Sequence, residues 1–241
     1  MNAPVSVGLW QALTAHPLFF VVLTLLAFQA SLLIYRRSRW LLLQPVMVST
    51  ALLVGVLGLG GIDYARFQAG ASLIALLLGP ATVALAVPLY FNLRRIRQLL
   101  WPIVLTLLVG GVLSVLLTLL IARQLGAGLP VLMSLAPKSA TMPIAMLVAE
   151  QTGGIAALAA VLVMLTGVIG TALGPLLMGL AGVDNAAARG LSYGINAHAI
   201  GTARALEEGD ECGAFAALGM SLMGILIALL VPLAASAGWL G

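Results

Sequence analysis

Leu191 to Glu211 reads LSYGINAHAIGTARALEEGDE, the one place in a very apolar chain where an Asn, a His, a Thr, an Arg and four acids fall within a few helical turns. The 241 residues are 62% hydrophobic and only 7% charged. So few polar groups are available that their placement is the informative feature, and this stretch is expected to bind something. Around it the character is uniform. Mean hydropathy is +1.17, and charge-free runs of about twenty residues or more recur, the length an α-helix needs to cross roughly 30 Å of hydrocarbon. Such a chain cannot make a water-facing surface of ordinary composition. A transmembrane barrel would show alternation in segments of about ten residues instead. The expected fold class is all-α: a polytopic transmembrane helix bundle of about seven or eight spans.

Composition also excludes several activities. The formal net charge is +4, and ten of the eleven cations are Arg, scattered or in short clusters without interleaved aromatics. In a membrane protein this reports loop topology and leaflet contact, so no nucleic-acid partner is expected. Cys212 is the sole cysteine; it has no disulfide partner and no nearby metal-ligand spacing, and reads as a small packing residue. No Ser/His/Asp order, phosphate loop or dinucleotide fingerprint appears, and GINAHAIG lacks the preceding strand that a dinucleotide site needs. The chain is expected not to be an enzyme and to need no cofactor or metal.

Taken in order, Met1 to Ala15 carries no charged side chain, so a cleaved signal peptide is not expected. A first span from Pro17 to Tyr35 ends at Arg36, Arg37 and Arg39, which the positive-inside rule places in the cytoplasm, with the N-terminus outside. Trp40 to Ile62 returns outward. Phe67 to Leu93 contains Gly79, Pro80, Thr82 and Pro88 and ends at a second basic cluster, Arg94, Arg95 and Arg97. Two readings stand for Leu78 to Thr82: a helix broken near the bilayer centre, or a simple proline kink. Gln98 to Ala122 is a plain span whose Gly110 and Gly111 suit close packing.

In Leu129 to Glu150, Pro137 and Pro143 bracket Lys138, Ser139 and Thr141, and Lys138 is the only lysine. A lysine in mid-segment is costly unless it lines water or meets a partner, so a functional role is favoured over snorkelling. Two topologies follow for the second half. If the Lys138 segment crosses, the acids Glu207, Glu208, Asp210 and Glu211 lie inside; if it dips in and returns, Arg189 lies inside and those acids outside. A faint internal echo, GPATVALAVPLYFN against INAHAIGTARALEEGD and QPVMVST against APKSATMP, suggests transporter-like halves at 40–124 and 130–241, with discontinuous helices and inverted repeats within a single 1–241 domain.

The motifs that carry these features resemble the LrgB/CidB family of membrane proteins, which includes YohK-like proteins and the plastid glycolate/glycerate translocator. The resemblance rests on LGPATVALAVPLY (Leu78 to Tyr90), PKSATMPIAM (Pro137 to Met146), GGIAAL (Gly153 to Leu158), LTGVIGTALGPLL (Leu165 to Leu177) and ARGLSYGINAHAIGTARALEEGDECGAF (Ala188 to Phe215). Met142 stands where the family often has Thr, and AHAIGTARA (Ala197 to Ala205) where it often has SHGIGTARA, two lost hydroxyls that bear on substrate fit. The resemblance implies a bacterial cytoplasmic (inner) membrane location and one of two roles. One is partnership with a small holin-like (LrgA/CidA-type) membrane protein that modulates murein hydrolase activity and lysis. The other is transport of small monocarboxylates such as glycolate, glycerate or pyruvate, by a carrier or a channel. Membrane-embedded Lys, His and Arg favour transport, because association alone does not require them.

In the transport reading Lys138 supplies the positive charge for a carboxylate anion, Ser139 and Thr141 donate hydrogen bonds, and Arg204 grips the same carboxylate. Asn196 and Thr202 read a substrate hydroxyl or keto oxygen. Gly79, Pro80 and Thr82 form the opposing broken helix, whose free N–H groups suit an anion. His198 is the proton-coupling candidate. Plainer alternatives stay open: His198 bonded to a neighbouring carbonyl, and Arg204 paired with Glu207 or Glu208 at helical spacing. Small-residue faces permit a homodimer in the lipid bilayer.

Overall fold

The computed structural model describes residues 14–16, 18–38 and 43–238. The N-terminal stretch to Leu13, and Arg39 of the first basic cluster, lie outside the described residues. Among the described residues the chain is helical with no strand. Five helical stretches are long and apolar enough to cross a membrane: Phe19–Ser38, Ser72–Phe91, Leu100–Gln124, Ala156–Leu180 and Asp210–Ser236. The chain divides into two compact units, one up to Ala84 and one from Leu85 onward.

The first unit holds α1 (Phe19–Ser38), α2 (Pro45–Leu59), α3 (Tyr64–Gly70) and α4 (Ser72–Ala84). Arg36 and Arg37 close α1, where cations suit the negative end of the helix dipole. Phe20 meets Phe67 edge-on at 5.8 Å between ring centroids, which ties α1 to α3. Of the two readings for Leu78 to Thr82, the structure has the continuous one: α4 runs through Pro80 to Ala84. A proline removes one intrahelical donor, a loss that a single helix absorbs without ending.

The second unit begins with the short helices α5 (Ala86–Phe91) and α6 (Leu93–Gln98). A 25-residue span, Leu100–Gln124, follows; it comprises α7 (Leu100–Leu105), a π-helical turn (Thr106–Gly111) and α8 (Val112–Gln124). Then come α9 (Leu129–Leu135), α10 (Met142–Gln151), α11 (Ala156–Leu180), α12 (Ala186–Glu208) and α13 (Asp210–Ser236). Helix α13 is the most enclosed of the spans, and its Phe215, Met223 and Ile227 form the core with Leu191 and Ile195 of α12.

Glycines set how closely these helices approach. A Cβ on Gly190 would run into the Cys212 carbonyl, and one on Gly194 into the Ala216 carbonyl, so α12 lies backbone-to-backbone on α13. Of the Gly110–Gly111 pair, only Gly111 makes a close approach, against Met223 and Leu226.

Two segments turn back on themselves. The Ile155 N–H donates to Ser134 Oγ at 2.8 Å, although 21 helical residues would separate the two by about 31 Å. Arg189 reaches Glu208 at 2.9 Å, where a straight helix would hold them about 28 Å apart. The second turn is at His198, whose φ of 40° and ψ of −128° split α12 into two half-helices. This corrects the topology expected from the sequence. Both arrangements drawn there place Arg189 and the acids on opposite faces. Instead Arg189 lies beside Glu208, whereas the return of the Lys138 segment is one of the two arrangements the sequence offers. The Arg95–Glu211 ion pair at 3.5 Å places the acids and the second basic cluster at one end of this unit.

Substituting Gly190→Ala or Gly194→Ala is expected to lower stability in detergent by roughly 1–3 kcal/mol each, through overpacking against backbone. Gly179→Ala, where nothing lies within 4 Å, should be neutral or gain up to about 1 kcal/mol from helix propensity. Thermal unfolding of the three variants checks this.

Candidate functional site

The first turn is APKSAT, Ala136 to Thr141, between α9 and α10. Pro137 lacks the donor that would extend α9, and Pro143 sits in the first turn of α10, where a missing N–H costs nothing. Ala136, Ser139 and Ala140 are buried, while Lys138 is half-buried. Its ammonium donates to Ser114 Oγ at 3.3 Å and to Ser139 Oγ at 3.2 Å. Among the described residues no carboxylate pairs with it. Ser114 lies 14 residues from Leu100 and ten from Gln124, so about 21 Å and 15 Å of helix separate it from the ends of its span. Lys138 therefore reaches inward to mid-span rather than to a helix end.

The second turn carries His198. Its Nε2 lies 2.9 Å from the Val163 carbonyl of α11, which can only accept, so Nε2 holds the proton and donates. Gly167 makes room for the ring, because a Cβ there would fall 2.6 Å from His198 Cε1. Thr202, equally buried, donates from Oγ1 to the His198 carbonyl at 2.9 Å, one turn back on the second half-helix. Ala136 and Ala140 of the first turn and Val163, the partner of His198, belong to one buried core. Two turns from distant parts of the sequence thus pack on the same core.

A third cluster closes the open ends of the α12 hairpin. Glu208 Oε2 accepts from Arg189 Nε at 3.0 Å and Nη2 at 2.9 Å, and its Oε1 accepts from the Tyr193 hydroxyl at 2.7 Å. Arg204 pairs with Glu207 at 2.9 Å and with Glu208 at 3.6 Å. These contacts bind the half-helix of Arg189 and Tyr193 to that of Arg204 and Glu208.

The residues singled out in the sequence therefore fall in several places. Lys138, Ser139, His198 and Thr202 gather at the two turns, and Thr141 stands just before α10 without a side-chain capping bond. Arg204 is engaged by the acids at the end of the hairpin. Asn196 lines a groove of about 420 Å³ with Gly170, Gly174 and Tyr193, and its amide donates to the Ser192 carbonyl at 3.0 Å. That groove does not include Lys138 or His198. Gly79, Pro80 and Thr82 belong to α4 of the first unit, where Gly79 and Pro80 are exposed. Sequence reading missed Ser114, the Val163 carbonyl, Gly167 and Tyr193. Gly167 had a signal, as one of several glycines in LTGVIGTALG, and Tyr193 lies within the stretch Leu191 to Glu211 itself. Among the described residues no group of three or more His, Cys, Asp or Glu is placed to hold a metal ion.

Comparison with known proteins bears on the whole bundle. Residues 24–237 match the LrgB-like family. The chain is 36% identical over 210 residues to the Bacillus subtilis protein named "Uncharacterized protein YwbG", covering 87% of this chain and 93% of that one. It is 30% identical over 223 residues to "Antiholin-like protein LrgB" of Bacillus cereus, covering 92% of this chain and 97% of the relative. The Bacillus anthracis protein of that name matches to the same extent. No solved structure matches.

A non-glycine residue at a φ of 40° holds strain of about 1–3 kcal/mol. His198→Ala keeps that strain and loses the bond to Val163, whereas His198→Gly loses the bond and relieves the strain. The glycine variant should be the more stable of the two by roughly 1 kcal/mol in thermal unfolding. Glu208→Gln removes the charge that Arg189 and Tyr193 engage and should cost roughly 1.5–3 kcal/mol. Adding Arg189→Gln to it should cost less than that substitution does alone, since the two share one ion pair.

Proposed function

Because this chain belongs to the LrgB-like family, we propose that it is an antiholin-like integral membrane protein. It acts in the bacterial cytoplasmic membrane with a small holin-like partner, restraining murein hydrolase activity and lysis. The observation that carries this reading is the end-to-end likeness to relatives named antiholin-like, over 92% of this chain and 97% of theirs. A protein that works by associating within the bilayer needs lipid-facing helix surface, and Leu113, Leu116, Leu117 and Leu120 of α8 offer it. By the positive-inside rule, the end bearing Arg94, Arg95, Arg97 and Arg189 faces the cytoplasm.

One observation favours a second reading, carriage of a small monocarboxylate such as glycolate or pyruvate. Lys138 sits at mid-span with only hydroxyl partners among the described residues. A cation at that depth costs a few kcal/mol by insertion scales, and an anion seated against Lys138 and Ser139 would offset the cost. His198 is then the group to carry a coupled proton.

In a host lacking its own family members, expressing the chain with a holin-like partner should slow autolysis several-fold. Unchanged autolysis, together with saturable counterflow of labelled glycolate or pyruvate in proteoliposomes, would replace the first reading with the second. Flux that does not saturate would indicate a channel. Lys138→Met, with folding verified, should leave control of autolysis intact if that control works by association, and should abolish counterflow if Lys138 holds the anion.

A further inference from the structure

The geometry points to a docking site for anionic phospholipid headgroups on the elbow Leu93–Gln98, with the guanidinium groups of Arg94 and Arg97 holding the lipid phosphate. Candidate spans end at Phe91 and begin at Leu100 on either side of this six-residue helix. LRRIRQ is thereby pinned at the boundary between hydrocarbon and water, where headgroups lie. Within it Ile96 turns inward and is buried, while Arg94, Arg95 and Arg97 are exposed.

The charge on this elbow is unbalanced. Arg95 pairs with Glu211 at 3.5 Å, an ion pair with side-chain exposures of 46% and 39%. Neither Arg94 nor Arg97 has an acid partner among the described residues. They stand three apart on one short helix and so share a face. Two adjacent guanidinium forks offer parallel N–H donors that match phosphate oxygens.

The flanks select the source of that phosphate. Tyr90, Phe91 and Trp101 are 74%, 78% and 74% exposed, and they bracket the arginines on both sides. Exposed aromatic rings at the end of a span belong at headgroup level, where an apolar body meets acyl chain and a polar tip meets water. A soluble phosphate would use the arginines and leave these rings idle; a phospholipid engages both. Arg95 adds a connection. A headgroup seated here competes with Glu211, and so bears on the start of α13 beside the α12 hairpin.

The test uses the full chain in detergent, titrated with phosphatidylglycerol or phosphatidylcholine and read by native mass spectrometry of lipid-bound states. The wild type should prefer phosphatidylglycerol, and the preference should weaken as salt is raised. Removing a cation near an anionic surface should lower it roughly five-fold, so R94Q/R97Q should lose on the order of twenty-five-fold. R94K/R97K should keep most of it, and Arg123→Gln at the far end of the Leu100–Gln124 span should change nothing. Equal binding of the two lipids by the wild type would overturn the proposal whatever the variants do. So would a preference unchanged in R94Q/R97Q, or inorganic phosphate alone displacing phosphatidylglycerol at equal concentration.

Discussion

Hydrocarbon offers no hydrogen bonds, so any backbone that stops being helical inside the membrane must find its partners within the protein. The rest of the second unit is arranged around this constraint. Two turns, at Ala136 to Thr141 and at His198, leave the helical pattern, and each is enclosed by neighbouring spans. At the first, turn bonds run from the Lys138 N–H to the Leu135 carbonyl and from the Ala140 N–H to the Pro137 carbonyl. At the second, the Thr202 hydroxyl serves the His198 carbonyl. Close packing does the enclosing. Gly167 lets the imidazole reach α11, and Gly190 and Gly194 let α12 lie directly on α13.

Charge is distributed by the same logic. Seven acids are available to the whole chain, and four of them cluster from Glu207 to Glu211, where three pair with Arg95, Arg189 and Arg204. Those pairs lie at the ends of helices. Inside the span the only lysine meets hydroxyl oxygens alone. Hydroxyls solvate an ammonium without neutralising it, so its field persists inside the span. The α12 hairpin ends are fixed by ion pairs, while the turn between α9 and α10 carries the one unpaired charge inside the span among the described residues.

This arrangement bears differently on the two roles the family suggests. Control of lysis by association draws on the apolar outer faces of the spans and asks nothing of the turns. Carriage of an anion draws on the turns and asks little of the outer faces. The likeness to antiholin-like relatives covers both regions, and it gives the association reading its weight. Lys138 at mid-span is the feature that this reading leaves without a use.

Composition and the length of the apolar runs were enough to place the chain in a membrane as helices, because burying peptide groups in hydrocarbon leaves so few solutions. The position of the polar exceptions was equally legible: a lysine between two prolines, and an Asn, His, Thr and Arg in one stretch, stand out against residues that carry no charge. The fates of those exceptions were decided only in three dimensions. Nothing local to INAHAIGTARALEE says that its helix reverses at His198, since the reversal depends on Arg189 meeting Glu208 from 19 residues away and on a glycine of α11 leaving space for the ring. Arg204 is held by the acids and Lys138 by Ser114 for the same reason. Hydropathy reports how much of a segment is buried, whereas the partner each polar group finds there depends on which distant helix the fold sets against it.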